Sequence, residues 1–231
     1  LAIRHGYFTG NWGMFILAWL IITVGLFIAH GTNNFLNDYT DFARGVDTDN
    51  YFRTQYGVHP LIQKFWTKEQ QFRWFAVSGS LAMLAGIFAL FYTNFSLNII
   101  ILFAVGALVL LIYTWPLKHI ALGEISIFLI WGPVMVAAVF LVLAKGATES
   151  VWPVALAAVP WGLSVVSINL GKHIDKAPED KKKKVGTLPV VIAVSSNLRD
   201  ARRDGRLAWG RMAPSLALIA AGIALVNHAE L

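Results

Sequence analysis

Six apolar stretches, each long enough to cross a lipid bilayer as a helix, restrict the folds open to this chain. Crossing the hydrocarbon core takes about 20 apolar residues in a helix, and these stretches lack the alternating polarity of membrane β-strands. A lipid-facing backbone must also satisfy its own hydrogen bonds, as a helix does. The sequence therefore predicts an all-α integral membrane protein with a single membrane domain over residues 1–231. The predicted spans are 13–33, 75–93, 97–113, 122–143, 153–171 and 212–228.

The composition excludes several classes of protein. Of the 231 residues, 57% are hydrophobic and only 14% are charged, whereas a soluble domain carries about 25% charged residues. The net charge of +6 does not indicate nucleic-acid binding, because the basic residues are flanked by long apolar runs. A disulfide-stapled scaffold is excluded because the chain contains no cysteine.

The distribution of basic residues predicts the orientation in the membrane. With six spans, three of the connecting segments lie on the same side of the membrane. They hold 17 of the 19 Lys and Arg residues and are 34–74, 114–121 and 172–211. The positive-inside rule makes that side cytoplasmic, so we expect a multi-pass protein of the inner (cytoplasmic) membrane. Residues 187–197 are too short to span the membrane, and we interpret them as an interfacial or partly buried helix.

Acidic residues form two clusters at the cytoplasmic ends of predicted spans. Carboxylates three and four residues apart on a helix repel each other, so a cation is expected between them. Oxygen ligands of this kind suit Mg²⁺ together with substrate phosphates, and the lack of Cys argues against zinc or copper. Two clusters facing one cavity suggest several Mg²⁺ ions bridging a diphosphate, although such a run is also typical of a solvated loop. The clusters are Asp38, Asp41, Asp47 and Asp49, and Asp175, Glu179 and Asp180.

Four nearby cations are candidates for binding the phosphate oxygens directly, because charge-assisted hydrogen bonds to phosphate are strong. They are Arg53, Lys118, Lys172 and Lys181. The run Lys181–Lys184 is also typical of contacts with anionic lipid headgroups. Glu124 lies at the start of a predicted span, where a carboxylate stabilises the N-terminus of a helix. The sequence is therefore compatible with a capping role and with a functional role for Glu124. His59, which precedes Pro60, is interpreted as structural.

Four motifs in order along the chain resemble those of the UbiA superfamily of intramembrane prenyltransferases. The resemblance is closest in style to the branch that prenylates dihydroxynaphthoate in menaquinone synthesis, because Asp47 stands ten residues after Asn37. The motifs are GTNNFLNDYTDFARGVDTDN at 31–50, HPLI at 59–62, YTWPLKHIALGEISIFLIWGP at 113–133 and NLGKHIDKAPEDKKKKVGTLPV at 169–190.

This resemblance implies a helix bundle, usually of nine spans, around a lipid-open central cavity. It also implies Mg²⁺-dependent transfer of a polyprenyl group from polyprenyl diphosphate to an aromatic acceptor. We therefore expect helices to be missing at both ends of the chain. The implied metal ligands are Asn37, Asp38, Asp41, Asp47, Asp175 and Asp180, with Asp41, Asp175 and Asp180 as catalytic residues and with Tyr39 and Tyr113 in the cavity wall.

The second acidic motif departs from the family pattern of two aspartates four residues apart. Asp175 and Asp180 are five apart, and Glu179 occupies the expected spacing. The residue before a proline disfavours helical geometry, so Pro178 predicts that the helix ends near residues 176–177. Asp175 would then be the last acid on the helix and the first metal-facing one. Asp180 would lie on the following loop, and Glu179 would face solvent.

The sequence thus predicts a membrane prenyltransferase whose acceptor is a quinone precursor. Its partners would be the diphosphate, the acceptor and membrane lipids, with no nucleic acid. The altered second motif leaves an alternative, a non-catalytic subunit that binds an isoprenoid or quinone within a larger membrane complex. A transporter is disfavoured because transporters place charged residues at mid-membrane depth, whereas here the acids lie at the ends of spans.

Overall fold

The computed structural model describes residues 10–55, 57–145 and 151–196, and every regular element in that part of the chain is helical. This confirms the predicted all-α membrane fold. A 3₁₀ turn, Leu117–Ile120, precedes α5, and a π-helical turn, Ile130–Val134, joins α5 to α6. The helices are α1 (Trp12–Ala43), α2 (Tyr51–Gln55), α3 (Lys68–Tyr92), α4 (Leu97–Ile112), α5 (Gly123–Leu129), α6 (Met135–Leu143), α7 (Trp152–Ala157), α8 (Val159–Lys182) and α9 (Leu188–Ser196).

Four helical stretches of the described chain are long and apolar enough to cross a membrane. They are Trp12–Ala43, Lys68–Tyr92, Gly123–Leu143 and Trp152–Lys182, and the apolar α4 is shorter. The predicted span 212–228 lies outside the described residues. Many large apolar side chains on these helices are exposed, as lipid-facing positions require; Phe27, for example, is 75% exposed.

Three helices extend beyond the apolar stretches that predicted them. The apolar stretches are 13–33, 75–93 and 153–171, whereas α1 continues to Ala43, α3 begins at Lys68 and α8 continues to Lys182, past the end expected near residues 176–177. A capping box explains the start of α3: the Thr67 side chain accepts from the N–H of Gln70, whose side chain accepts from the N–H of Thr67. The extensions carry polar residues, which apolar content alone does not assign to a helix. Residues 188–196 form α9, a short helix at the place where a non-spanning helix was predicted.

The predicted break before Pro178 is wrong, because α8 continues through it to Lys182. Proline lacks an N–H and therefore costs the helix one hydrogen bond. Here the local preference is outweighed by packing: Lys176 and Asp180 lie one turn apart on the face that α8 buries, and they are 6% and 0% exposed. Asp180 is therefore a buried helical residue and not a loop residue, whereas Asp175, about 140° away around the helix, is exposed.

Helix α8 crosses the α5–α6 span at a contact between two glycines. A Cβ atom built on Gly162 would lie 2.7 Å from the carbonyl oxygen of Phe128 and 3.1 Å from the Cα atom of Gly132. Gly132 lies in the π-helical turn with non-helical dihedral angles (φ −96°, ψ −105°), directly before Pro133. The two backbones touch only because neither residue has a side chain, and this contact fixes α8 against α5.

We predict that Gly162→Ala destabilises the protein, whereas Gly171→Ala on the same helix does not. The new methyl group of Gly162→Ala meets a backbone oxygen, and overpacking of this kind costs about 1–3 kcal/mol. No atom lies within 4 Å of a Cβ built on Gly171, and replacing a helical glycine by alanine is worth about 0.5–1 kcal/mol. Thermal unfolding of both variants in detergent measures the difference. An unchanged midpoint for Gly162→Ala would contradict the crossing.

Candidate functional site

Charged side chains from three parts of the chain are buried together at one end of the bundle. Asp41 comes from α1, Asp47 from the loop after α1, Lys118 from the 3₁₀ turn, and Lys176 and Asp180 from α8. All five are at most 6% exposed. Burying an ionised group is costly unless it is paired, so the contacts between these groups decide whether the arrangement is stable. We call these five residues, with Asp38 and Arg53 beside them, the charged cluster.

A short ion pair joins α1 to the 3₁₀ turn. The Nζ atom of Lys118 donates to Oδ2 of Asp41 at 2.5 Å, and both side chains are almost completely buried. Burial alone would lower the pKa of Lys118, but the charge and hydrogen bond of Asp41 raise it above its usual value. Lys118 therefore carries its positive charge at neutral pH. The other oxygen, Oδ1 of Asp41, has no hydrogen-bond partner within the described residues.

Arg53 connects two acids, one on each side of the end of α1. Its Nη2 atom donates to Oδ1 of Asp38 at 2.6 Å, and its Nε atom lies 3.7 Å from Oδ2 of Asp47. The same Asp47 oxygen lies 3.1 Å from Nε2 of His59, which is completely buried. His59 therefore contacts an acid of the site, which the sequence analysis did not foresee.

Asp47 is ionised at neutral pH. Burial raises the pKa of its carboxyl group, but the hydrogen bond with His59 and the charges of Lys118, Lys176 and Arg53 outweigh burial and lower the pKa below its usual value. Its Oδ1 atom, like Oδ1 of Asp41, has no hydrogen-bond partner in the described part of the chain.

Helix α8 faces the other acids with His173, Lys176 and Asp180, whose spacing places them on one side of a helix. Nζ of Lys176 lies 3.8 Å from Oδ1 of Asp180, and the Thr187 hydroxyl donates to Oδ2 of Asp180 at 3.5 Å. His173 pairs with Glu124, with 2.7 Å between Nδ1 and Oε1.

Glu124 joins three helices instead of serving only its own. It lies in the first turn of α5, yet its Oε1 atom contacts His173 on α8 and accepts from the N–H of Leu188, at the start of α9, at 3.1 Å. This carboxylate thereby fixes the 185–188 segment that carries Thr187 to Asp180. The sequence left helix capping and a direct functional role open for Glu124. The structure adds a third role, in which Glu124 positions the 185–188 segment beside the site.

The remaining predicted residues fall into two groups. Asn37 and Tyr113 lie at the cluster's edge: Oδ1 of Asn37 accepts from Thr114 at 3.1 Å, and Tyr113 lies within electrostatic range of Lys118 and Asp41. Tyr39 packs against Phe72 of α3, with ring centroids 6.0 Å apart. The other group lies on α8 away from its buried face: Lys172, Asp175 and Lys181 are exposed, and Glu179 is half-buried.

The geometry of the first acidic segment fits a hard cation. One ligand atom from each of Asp38, Asp47 and His59 lies within 4.8 Å of the others, and this is the one such group of three in the described ranges. The unpaired, buried Oδ1 atoms of Asp41 and Asp47 are further oxygen donors of the kind that Mg²⁺ takes. On α8 the described residues offer only Asp180 as a buried acid, and it lies beside an ammonium group.

Lys183, which sequence analysis assigned to lipid headgroups, ties the two acidic segments together. Its Nζ atom donates to the carbonyl oxygens of Gly45 at 2.7 Å and Thr48 at 2.5 Å, and to the Thr48 hydroxyl at 3.3 Å. These acceptors lie in the loop that carries Asp47. The end of α8 therefore holds that loop in place.

Comparison with known proteins identifies relatives of this chain. The model of the UbiA prenyltransferase family matches residues 5–229. Over 180 residues the chain is 26% identical to UbiA prenyltransferase domain-containing protein 1 of Danio rerio. The matched residues make up 77% of this chain and 51% of that protein.

A second similarity is local. Over 47 residues the chain is 60% identical to the Escherichia coli (strain K12) protein named inner membrane protein YtfF. The matched residues make up 20% of this chain and 15% of that protein. The chain thus spans about half or less of the length of these curated relatives. No solved structure matches the chain.

We predict that Lys183→Met loosens the 45–48 loop, whereas Lys182→Met does not. A hydrogen bond to a charged group is worth about 1.5–3 kcal/mol, so amide hydrogen exchange in peptides covering the loop should accelerate at least about tenfold. Lys182 is exposed and pairs only with Glu179, at 2.8 Å, among the described contacts. Equal exchange rates in the two variants would show that Lys183 does not hold the loop.

Proposed function

Because the chain belongs to the UbiA prenyltransferase family, we propose that it transfers a polyprenyl group from a polyprenyl diphosphate to an aromatic acceptor in the membrane. The observation that carries this proposal is the charged cluster, in which buried cations and acids meet at one end of an apolar bundle. A diphosphate needs such cations at the membrane surface, and its polyprenyl chain needs the apolar surroundings of the helices. The spacing of Asn37 and Asp47, ten residues apart, favours a quinone precursor of the menaquinone type as acceptor.

The first acidic segment is the proposed metal site. Asp38, Asp41 and Asp47 would supply carboxylate oxygens, with Asn37 beside them. When bound, Mg²⁺ would neutralise charge on the diphosphate and so assist its departure. On release of the diphosphate, the bond between its oxygen and the allylic carbon breaks, and the diphosphate keeps the electron pair.

The chain's own residues would do the rest of the work. Lys118 and Arg53 would exchange their carboxylate partners for phosphate oxygens and thereby stabilise the developing negative charge. Tyr113 and Tyr39 would present aromatic faces to the allylic cation, in surroundings that exclude water. A carbon of the acceptor ring would then form the new bond to the allylic carbon, and that ring carbon would lose its proton to the released diphosphate.

One observation favours a non-catalytic second function. Asp41 and Asp180 each already face a buried lysine of the same chain, so their charges are compensated without a ligand. A relative that only binds an isoprenoid or a quinone, as a subunit of a larger membrane complex, would need no more. A transfer assay with labelled prenyl diphosphate separates the two functions, because only the enzyme releases diphosphate.

We predict that Asp180→Asn abolishes prenyl transfer in proteoliposomes, whereas Asp175→Asn leaves most of the activity. Asp180 is buried beside Lys176, and Asp175 is exposed about 140° away on the same helix. The assay measures transfer of a labelled prenyl group at saturating Mg²⁺. Equal losses in the two variants would remove Asp180 from the site.

The matching test at α1 needs a charge-balanced variant. Asp41→Asn alone leaves Lys118 buried without its counter-ion, which costs about 3–5 kcal/mol and confuses folding with function. The double variant Asp41→Asn with Lys118→Met removes both charges. It should retain the unfolding midpoint of the wild type far better than Asp41→Asn, yet transfer no prenyl group. Activity in this folded double variant would contradict the proposed site.

We also propose that the charged cluster faces the cytoplasm. The contacts of Lys118 with Asp41 and of Lys183 with the 45–48 loop bring the three basic segments to the same end of the bundle. An impermeant maleimide should therefore label Asn98→Cys in intact cells, but Gln63→Cys and Lys182→Cys only after the cells are opened. Labelling of Gln63→Cys from outside would reverse the orientation.

A further inference from the structure

The inward face of α8 presents a lysine to the acids of the charged cluster. Lys176 is 6% exposed and interacts electrostatically with Asp41, Asp47 and Asp180, as well as with Lys118. Its Nζ atom lies 3.8 Å from Oδ1 of Asp180, beyond the 2.7–3.2 Å of a good hydrogen bond. This ammonium group is therefore buried, directed at the site and only loosely held.

The two sides of the site differ in what they offer a cation. On the α1 side, ligand atoms of Asp38, Asp47 and His59 lie within 4.8 Å of one another. On the α8 side, the one buried acid of the described residues is Asp180, next to Lys176. A divalent ion bound to Asp180 would lie a few ångströms from this ammonium group, and like charges at such distances in a partly desolvated site repel strongly.

We propose that Lys176 binds the diphosphate directly and takes the place of a metal ion on the α8 side, so that metal is held by the first acidic segment alone. The ammonium group of lysine is a compact point charge that suits phosphate oxygens. Because the pair of Lys176 with Asp180 is loose, the Lys176 ammonium group can turn toward a phosphate. Asp180 then keeps the hydrogen bond that it accepts from the Thr187 hydroxyl. This inference rests on the proposed function, because it assumes that a diphosphate occupies the charged cluster. It differs from the sequence-based expectation of several Mg²⁺ ions that bridge a diphosphate between both acidic clusters.

Metal stoichiometry tests the inference without any measurement of activity. The purified full chain is titrated with Mn²⁺ in the presence of saturating inorganic pyrophosphate, and bound Mn²⁺ is counted by electron paramagnetic resonance. Lys176→Asp creates two carboxylates four residues apart, which lie on the same face of a helix. We expect this variant to bind one Mn²⁺ per chain more than the wild type.

Pyrophosphate affinity at fixed Mn²⁺ gives an independent measurement. Losing a charge-assisted hydrogen bond costs about 1.5–3 kcal/mol, so Lys176→Met should weaken binding at least about tenfold. Lys176→Arg keeps the charge and should stay within about threefold of the wild type. Lys182 is an exposed lysine six residues further along α8. Lys182→Met is therefore the matched control and should bind as the wild type does.

The outcomes separate this inference from the proposed function. If the wild type and Lys176→Asp bind equal numbers of Mn²⁺, or if Lys176→Met binds pyrophosphate as tightly as the wild type, the role of Lys176 is wrong while the diphosphate site stands. If the wild type binds no pyrophosphate at any Mn²⁺ concentration, the proposed function is wrong, and this inference is wrong with it. Should Lys176→Asp fail to fold, the comparison of Lys176→Met with Lys176→Arg decides.

Discussion

The structure depends on keeping charges paired where they are buried at the end of an apolar bundle. An unpaired ion in such surroundings costs several kcal/mol, and the protein buries Asp41, Asp47 and Asp180 almost completely. Each finds a cation on another turn or element, and the pair of Asp41 with Lys118 spans 77 residues of sequence. The pair of Asp41 with Lys118 joins α1 to the 3₁₀ turn, and Lys183 ties the end of α8 to the loop that carries Asp47. These polar contacts therefore also bring the candidate functional groups together.

Close helix packing makes this pairing possible. The contact of Gly132 with Gly162 lets α8 lie against the α5–α6 span, and Glu124 then reaches both His173 and the N–H of Leu188. At the other side, Lys183 holds the loop that carries Asp47. The charged cluster is therefore supported from two directions by residues that need not touch a ligand. A substitution in this support should change the site without removing any of its charged groups.

Much of the fold follows from the sequence because apolar length is a strong signal for a membrane helix. The first five predicted stretches each contain a helix, and the acidic segments at their ends do meet. Apolar length alone did not show how far the helices extend into polar residues; the spacing of Asn37 and Asp41 indicated that α1 continues past residue 33, but not where it ends. The break expected at Pro178 was wrong because a local backbone preference yielded to the burial of Lys176 and Asp180.

The error at Pro178 also misdirected the choice of site residues. With an unbroken helix, the spacing of His173, Lys176 and Asp180 places all three on one face, and this signal was available in the sequence. Extending the helix by one turn would have kept Asp180 as the inward acid, left out Asp175, and pointed to Lys176 instead of Lys181 as the inward cation. The contacts of His59 and Lys183 depend on loop geometry, which no periodicity records.

Three separate segments of the chain are proposed to form one diphosphate site. Hydrogen–deuterium exchange of the purified protein, with and without inorganic pyrophosphate and Mg²⁺, tests it most directly. If the three segments form one site, peptides covering 38–50, 113–120 and 174–190 should all become protected at the same pyrophosphate concentration. Protection that is absent from any of these segments, or that appears only elsewhere in the chain, would contradict this proposal.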